Sequence, residues 1–107
     1  MSGRSEGPTI TVSLGTEGAD TVVHVAGEVD IETSPILRAA ILPVFEQPVP
    51  HTVIFDLGGV GFIDSAGLAV LISVARDGRS VRLRNPPAVF IRVLEATGLS
   101  QDFPIEP

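Results

Sequence analysis

Apolar and β-branched residues near the start of the chain recur in a pattern that predicts two strands. The segments Thr9 to Leu14 and Thr21 to Ala26 are rich in threonine, valine and isoleucine, which suit the pleated surface of a sheet. Between them the sequence G-T-E-G-A-D, from Gly15 to Asp20, predicts a turn. We therefore expect the first two strands to pair as an antiparallel hairpin.

The most apolar strand-like run lies at the centre of the chain. Val53 to Leu57 is interrupted only by Asp56, which is typical of a strand covered on both faces in a parallel sheet. Three glycines follow, at positions 58, 59 and 61, and predict that the backbone bends. The chain then restarts as a helix whose first turn holds Asp64, Ser65 and Gly67. This pattern predicts a strand–loop–helix unit.

Two further helices are predicted on either side of this unit. The first begins at Ser34, as the N-cap, and Pro35, in the first helical position, and ends near Leu42 because Pro43 breaks the hydrogen-bond ladder. The last helix opens at 85–87 and ends at 97, where Gly98 suits a left-handed residue after the helix. Leu99 is expected to fold back onto Leu94.

The predicted order is strand, strand, helix, strand, helix, strand, helix, with the last strand at 81–84. Strands that alternate with helices indicate parallel strands joined by right-handed crossovers. The expected fold class is therefore α/β, a single-domain mixed sheet that is mostly parallel with an antiparallel N-terminal edge strand. We expect a flexible N-terminus over residues 1–8 and one domain over residues 9–107.

Charge and composition indicate which classes of partner and cofactor are not expected. The net charge is −6, the seven basic residues are scattered arginines, and no cysteine is present. Binding to nucleic acid or to an anionic membrane surface requires clustered basic residues, so both are unexpected. No segment is long and apolar enough to cross a bilayer, and the N-terminus does not resemble a signal peptide. We therefore expect a cytoplasmic protein. We also expect no metal or other cofactor, and two isolated histidines do not form a metal site.

Catalytic patterns are weak. Ser65 lies in I-D-S-A-G, which lacks the first glycine of a nucleophile elbow, and both histidines precede it, so a serine hydrolase is not expected. No phosphate-binding loop motif is present. Asp56 and Asp64 are only a weak candidate for a catalytic acid–base pair. We therefore predict that the protein is not an enzyme.

Ser65 has two interpretations, and both stay open on the residues alone. A serine at a helix start commonly acts as an N-cap. The same exposed hydroxyl can instead be reached by a kinase, and its phosphate would meet unpaired N–H groups at the helix N-terminus. Gly27 to Glu32, with three acidic residues, is expected to be a solvated loop.

The second helix has one stripe expected to face the core, formed by Leu68, Leu71, Ile72 and Ala75. Its other face is unusually apolar for a surface exposed to solvent, and consists of Ala66, Ala69, Val70 and Ser73. Either another part of the domain covers that face or a partner does.

Three motifs together resemble the STAS domain, which sulphate transporters share with bacterial anti-sigma factor antagonists. They are F-D-L-G-G-V-G-F-I-D-S-A-G-L, the upstream V-A-G-E-V-D and the A-T-G-L that ends the last helix. The resemblance covers residues 9–103. The sequence departs from the family pattern in its short C-terminal tail and at Ala66, where many relatives have a small polar residue.

The resemblance implies a non-catalytic, phosphorylation-controlled switch. In the antagonist branch, the serine at the position of Ser65 is phosphorylated by the anti-sigma factor, which is a serine kinase, and a serine phosphatase resets it. The unphosphorylated antagonist binds the kinase and releases the sigma factor. The expected partner-binding residues are Asp30, Asp64, Ser65, Ala66, Gly67, Ala69 and Val70. The alternative is a non-phosphorylated STAS scaffold subunit of a transport or sensory complex. The oligomeric state is left open, a homodimer included.

Overall fold

The computed structural model describes residues 9–107. The expected flexible segment at residues 1–8 lies outside the described residues. The elements, in chain order, are β1 (Ile10–Glu17), β2 (Asp20–Val29), α1 (Ser34–Ala40), a 3₁₀ helix (Leu42–Glu46), β3 (Thr52–Ile63), α2 (Ser65–Arg76), β4 (Ser80–Arg84) and α3 (Ala88–Thr97).

The four strands form one mixed sheet in the order β1-β2-β3-β4. β1 pairs with β2 antiparallel, and both other pairings are parallel. This arrangement confirms the predicted fold class. Because right-handed crossovers between successive neighbours place their helices on one side, α1 and α2 pack on the same face of the sheet.

The main core lies between the sheet and the helices. Alternate residues of the strands point into it, and Val53, Phe55 and Leu57 of β3 are almost completely buried. They pack in one cluster with Leu71 of α2 and Phe90 of α3. Strand alternation therefore places the intervening residues on the other face of the sheet, where Ile54 is also buried and Asp56 is half-buried.

Three predicted loop boundaries are wrong. β1 continues to Glu17, β2 continues to Val29 through the predicted acidic loop, and β3 continues to Ile63 through the predicted glycine bend. Pairing between segments distant in sequence extends β2 and β3, because Glu28 lies beside Phe62 and Val29 beside Ile63. β1 is longer because the hairpin ladder continues until Glu17 lies opposite Asp20.

A glycine is required where β2 and β3 approach each other. A Cβ atom on Gly59 would lie 2.8 Å from the Cβ of Ala26. The register between the two strands also shifts on either side of this contact. The glycine therefore permits close strand packing rather than ending the strand.

The first helix also differs from the prediction by one residue at its start. Thr33 is its N-cap, and Ser34 is already helical. α1 ends at Ala40, and Pro43 lies inside the 3₁₀ helix, near the predicted break. The end of α3 is as predicted, because Gly98 has φ of 75° and the N–H of Leu99 donates to the Leu94 carbonyl at 2.9 Å.

The C-terminal tail covers the outer edge of β4. The Leu83 N–H donates to the Pro104 carbonyl at 2.9 Å, and the Glu106 N–H donates to the Leu83 carbonyl at 2.8 Å. Phe103 is 2% exposed and belongs to the core. The Glu106 carboxylate accepts from Arg84 Nε at 2.7 Å. The tail is therefore an ordered edge segment.

Candidate functional site

Two aspartates lie side by side where adjacent parallel strands end. Asp30 follows the last residue of β2 and Asp64 follows the last residue of β3, and these last residues pair with each other. The Asp64 N–H donates to the Val29 carbonyl at 3.2 Å. The fold therefore brings together two site residues that are separated by 34 positions. We call residues 30–34 and 62–66 the carboxyl edge.

The Asp30 carboxylate organises a tight turn. Its Oδ1 accepts from the N–H groups of Glu32 and Thr33, each at 2.9 Å. The Thr33 hydroxyl lies 3.3 Å from the same oxygen. These bonds favour the ionised form, so the Thr33 N–H, followed by the Glu32 N–H, holds the pKa of Asp30 below its ordinary value. Asp30 thus shapes the turn.

Thr33 completes this turn from the inside. Its hydroxyl accepts from the Asp30 N–H at 2.9 Å and donates to the Glu28 carbonyl at 2.7 Å. The residue is 5% exposed. Sequence reasoning missed Thr33, although the D-x-x-T spacing, typical of a side chain that closes a turn on its own backbone, was the available signal.

Asp64, and not Ser65, caps α2. The extended backbone of Asp64 places its Oδ1 2.8 Å from the Ala66 N–H, which donates to it. Ser65 is the first residue of the helix. The interpretation of Ser65 as the N-cap is therefore wrong, because the aspartate one residue earlier occupies that position.

The first-turn amides are also bonded internally. Besides the Ala66 N–H, the Gly67 and Leu68 N–H groups donate to the Asp64 carbonyl at 3.0 and 3.2 Å. The expectation that a phosphate on Ser65 would meet several unpaired N–H groups is therefore wrong. A phosphate at this point would compete with a carboxylate for the helix N-terminus.

The Ser65 side chain remains accessible. Ser65 is exposed, while the neighbouring Asp64 and Ala66 are half-buried. Among residues 9–107, its hydroxyl has no hydrogen-bond partner. A hydroxyl that is exposed and not used by the fold can be modified without breaking a structural contact.

Two residues predicted to contact a partner belong to the interior. Val70 is fully buried in the core, because α2 packs against α1 as well as against β3 and β4. Gly67 is also buried, and a Cβ atom there would lie 2.5 and 2.6 Å from side-chain carbons of Ile63. Neither residue can form part of an exposed surface. Ala69 is exposed, as the predicted surface requires.

Apolar side chains on the carboxyl edge occupy the exposed positions instead. Ile31, inside the Asp30 turn, is 79% exposed, and Phe62, near the end of β3, is 44% exposed. Sequence reasoning missed both residues, although the isoleucine stands alone between acidic residues. The two segments that form this edge contain Asp30, Glu32 and Asp64 and no basic residue. The surface around Ser65 therefore combines apolar side chains with negative charge.

Asp56 and Asp64 do not form an acid–base pair. The Asp56 Oδ2 lies 3.2 Å from His24 Nδ1 on the sheet face, and Asp64 caps α2. The part of the chain that the structure describes contains no group of three His, Asp or Glu residues able to hold a metal ion. Within residues 9–107, the helices are all too short or too polar to span a membrane.

Comparisons with known proteins agree with the fold. The family model described as Mlab, STAS domain, matches residues 12–106. The chain is 33% identical over 94 residues to the anti-sigma-B factor antagonist of Bacillus subtilis, covering 84% of each protein. A crystal structure of an anti-sigma factor antagonist from Mycobacterium paratuberculosis has a TM-score of 0.74 and 33% identity, over 92% of this chain and 86% of that one.

A more distant structure shares the fold alone. Unphosphorylated SpoIIAA, an anti-sigma factor antagonist, has a TM-score of 0.73 with 22% identity, over 91% of this chain and 89% of that one. The chain belongs to the STAS domain family, in the group that contains the bacterial anti-sigma factor antagonists.

Proposed function

We propose that this protein is a cytoplasmic anti-sigma factor antagonist controlled by phosphorylation of Ser65. In its unphosphorylated form it binds an anti-sigma factor serine kinase, and the sigma factor is released. A serine phosphatase acting on phospho-Ser65 restores binding. The protein itself performs no catalysis. The observation that carries the proposal is an exposed Ser65 at the start of α2, directly after Asp64, which lies beside Asp30.

The relatives support this role. The anti-sigma-B factor antagonist of Bacillus subtilis is named for it, and its similarity extends over 84% of this chain. The antagonist from Mycobacterium paratuberculosis shares the fold at the same level of identity.

The charge at the carboxyl edge provides the physical switch. Phosphorylation adds about −1.5 to −2 charges at one point. Ser65 directly follows Asp64, which lies beside Asp30 at the ends of the paired strands, and the N–H groups of residues 66–68 are bonded to Asp64. The added charge therefore gains little from the helix and must remain hydrated. Docking would remove that water, and a penalty of about 3 kcal/mol weakens binding more than 100-fold.

We infer that the docking surface consists of Ser65, Asp30, Asp64, Ala66 and Ala69, together with Ile31 and Phe62. Exposed apolar anchors beside charged groups are typical of protein interfaces. The kinase surface that fits this edge is apolar at its centre and basic at its rim. A basic rim would bind the unmodified acidic edge, whereas a close apolar contact would exclude a doubly charged phosphate.

Binding of Ser65 variants tests this proposal. Ser65→Ala should bind the anti-sigma factor kinase as wild type does. Ser65→Asp should bind at least 10-fold more weakly than wild type, because it adds a negative charge at the docking surface. This loss is smaller than that expected for phospho-Ser65, because a carboxylate has less charge than a phosphate. Ser100→Asp adds the same charge at an exposed position in the C-terminal segment and should bind as wild type. Isothermal titration calorimetry measures all three affinities.

Mass spectrometry after incubation with the kinase and ATP identifies the modified residue. We expect one phosphate on Ser65 and none on Ser65→Ala. Tight kinase binding without any phosphorylation, and equal affinities of the Ala and Asp variants, would overturn the switch and favour a scaffold that acts without modification.

A further inference from the structure

The two edges of the sheet differ in how they are covered. The C-terminal tail pairs with β4 through Leu83 and closes that edge. β1 forms the opposite edge, and within residues 9–107 no strand pairs with its outer side. An edge strand presents N–H and C=O groups that another strand can bind.

The direction of these groups follows from the pairing of β1 with β2. The Glu28 N–H donates to the Thr9 carbonyl at 3.0 Å, and Thr9 lies opposite Glu28 in the register that pairs Ile10 with Gly27. In an antiparallel pair, alternate residues bond to the partner strand. The odd-numbered residues of β1 therefore bond to β2. The four residues whose N–H and C=O groups point outward are Ile10, Val12, Leu14 and Thr16.

β1 also lacks the features that usually protect an edge strand. Such strands are commonly short, bulged, or marked by lysine or proline. β1 has eight residues, and its register with β2 is continuous from Ile10 to Glu17. No charged residue and no proline occurs from position 10 to position 16. A strand with these properties can pair with a copy of itself without placing like charges opposite each other.

We propose that two copies of the protein associate through antiparallel pairing of their β1 strands, centred on Ser13. This register places Val12 opposite Leu14 and Ile10 opposite Thr16 of the other copy. It is the register in which all four outward-facing residues of each strand find partners. A shift by two residues in either direction leaves one of them outside the pairing. The dimer would extend the four strands into one eight-stranded sheet.

Apolar side chains support a second copy as the occupant. Val12 and Leu14 lie on the helix side of the sheet, where Leu14 is 39% exposed and Val12 is partly buried against the core. A cavity beside Leu14 is lined by Pro43 and Val44. Pairing would bring Val12 of one copy against Leu14 of the other and extend the core across the axis. The inference does not depend on the proposed function, because β2 separates β1 from the strand that leads to Ser65.

A cysteine pair tests the register directly, since the natural chain has no cysteine. Ser13 is exposed and faces its own copy across the proposed axis, where Cα atoms of non-hydrogen-bonded neighbours lie about 4.5 Å apart, close enough for a disulfide. In full-length Ser13→Cys, oxidised glutathione should produce a disulfide-linked dimer. Thr11→Cys is the matched control on the same face. Its two copies would be separated by four residues, about 13 Å, and should not be linked.

Proline at an outward-facing position tests the hydrogen bonds. Leu14→Pro removes an outward N–H while leaving the bonds to β2 in place, and Leu14→Val keeps the N–H. Sedimentation equilibrium should show a dimer for the wild type, a dissociation constant raised at least 10-fold for Leu14→Pro, and a change below 3-fold for Leu14→Val. Circular dichroism checks that each variant is folded. A wild type that remains monomeric at about 1 mM would overturn the proposal. Equal cross-linking at positions 11 and 13 would also overturn it.

Discussion

The two turns of the carboxyl edge begin in the same way and differ in how each uses a hydroxyl group. In each, an aspartate follows a parallel strand and accepts a hydrogen bond from the N–H two residues later, Glu32 in one turn and Ala66 in the other. Each turn also has a hydroxyl close to the aspartate. The Thr33 hydroxyl is buried and bonded on both sides, whereas Ser65 is exposed.

This difference separates a structural hydroxyl from an available one. Thr33 satisfies the Asp30 N–H and the Glu28 carbonyl, so the β2 turn depends on it. The β3 turn is completed by Asp64 alone, which leaves Ser65 without a structural role. A phosphate can therefore be added at Ser65 without dismantling the turn that presents it.

The largest effect on stability is expected from removing the buried hydroxyl. Thr33→Val removes the hydroxyl that bonds the half-buried Asp30 N–H and the Glu28 carbonyl, and should lower the free energy of unfolding by about 2–3 kcal/mol. Ser65→Val, the matched change in the other turn, should remain within about 0.5 kcal/mol of wild type. Urea denaturation measures both. Equal losses in the two variants would show that the turns do not differ as described.

A smaller loss is expected from the cap of α2. Asp64→Ala removes the acceptor of the Ala66 N–H and should reduce stability by about 1 kcal/mol. Asp64→Asn keeps an acceptor oxygen and should lose only a few tenths of that amount. Thermal unfolding distinguishes them, because about 1 kcal/mol corresponds to a shift of about 4–8 °C in a domain of this size. Identical melting temperatures for the two variants would contradict the capping role.

The smallest effect is the pH dependence of the Asp30 turn. The Thr33 and Glu32 N–H groups lower the pKa of Asp30 in the folded state below its ordinary value of 3.8. The folded state then binds fewer protons, so the carboxylate stabilises it at neutral pH. This contribution is lost as the pH falls through the folded pKa. Relative to Asp30→Asn, the wild type should lose stability between neutral pH and acid, as measured by urea denaturation. A difference independent of pH would argue against an ionised Asp30 in the turn.

The fold could be predicted from the sequence because its signals are local. Alternating β-branched residues indicated β1 and β2, and the apolar run at 53–57 indicated β3. Strand ends were not predictable in this way. Gly58 and Gly59 resemble a loop in the sequence, although they lie within β3. Pairing with β2, which is distant in sequence, decides where β3 ends.

The candidate site was only partly predictable. The motif around Ser65 indicated which hydroxyl to consider, and the strand register explains why Asp30 lies beside Asp64. Val70 was assigned to the surface because helical spacing alone does not show that α2 is covered by α1 as well as by the sheet. Ile31 was missed because its exposure follows from the turn that Asp30 and Thr33 form.

The most direct test of the account is the affinity of one protein preparation in two modification states. Stoichiometrically phosphorylated and unphosphorylated wild type should be titrated against the same anti-sigma factor kinase by calorimetry, with dephosphorylation of the first sample as the control. We predict that phospho-Ser65 weakens binding at least 100-fold and that removal of the phosphate restores it. Equal affinities of the two forms would contradict the central claim that charge at Ser65 controls association.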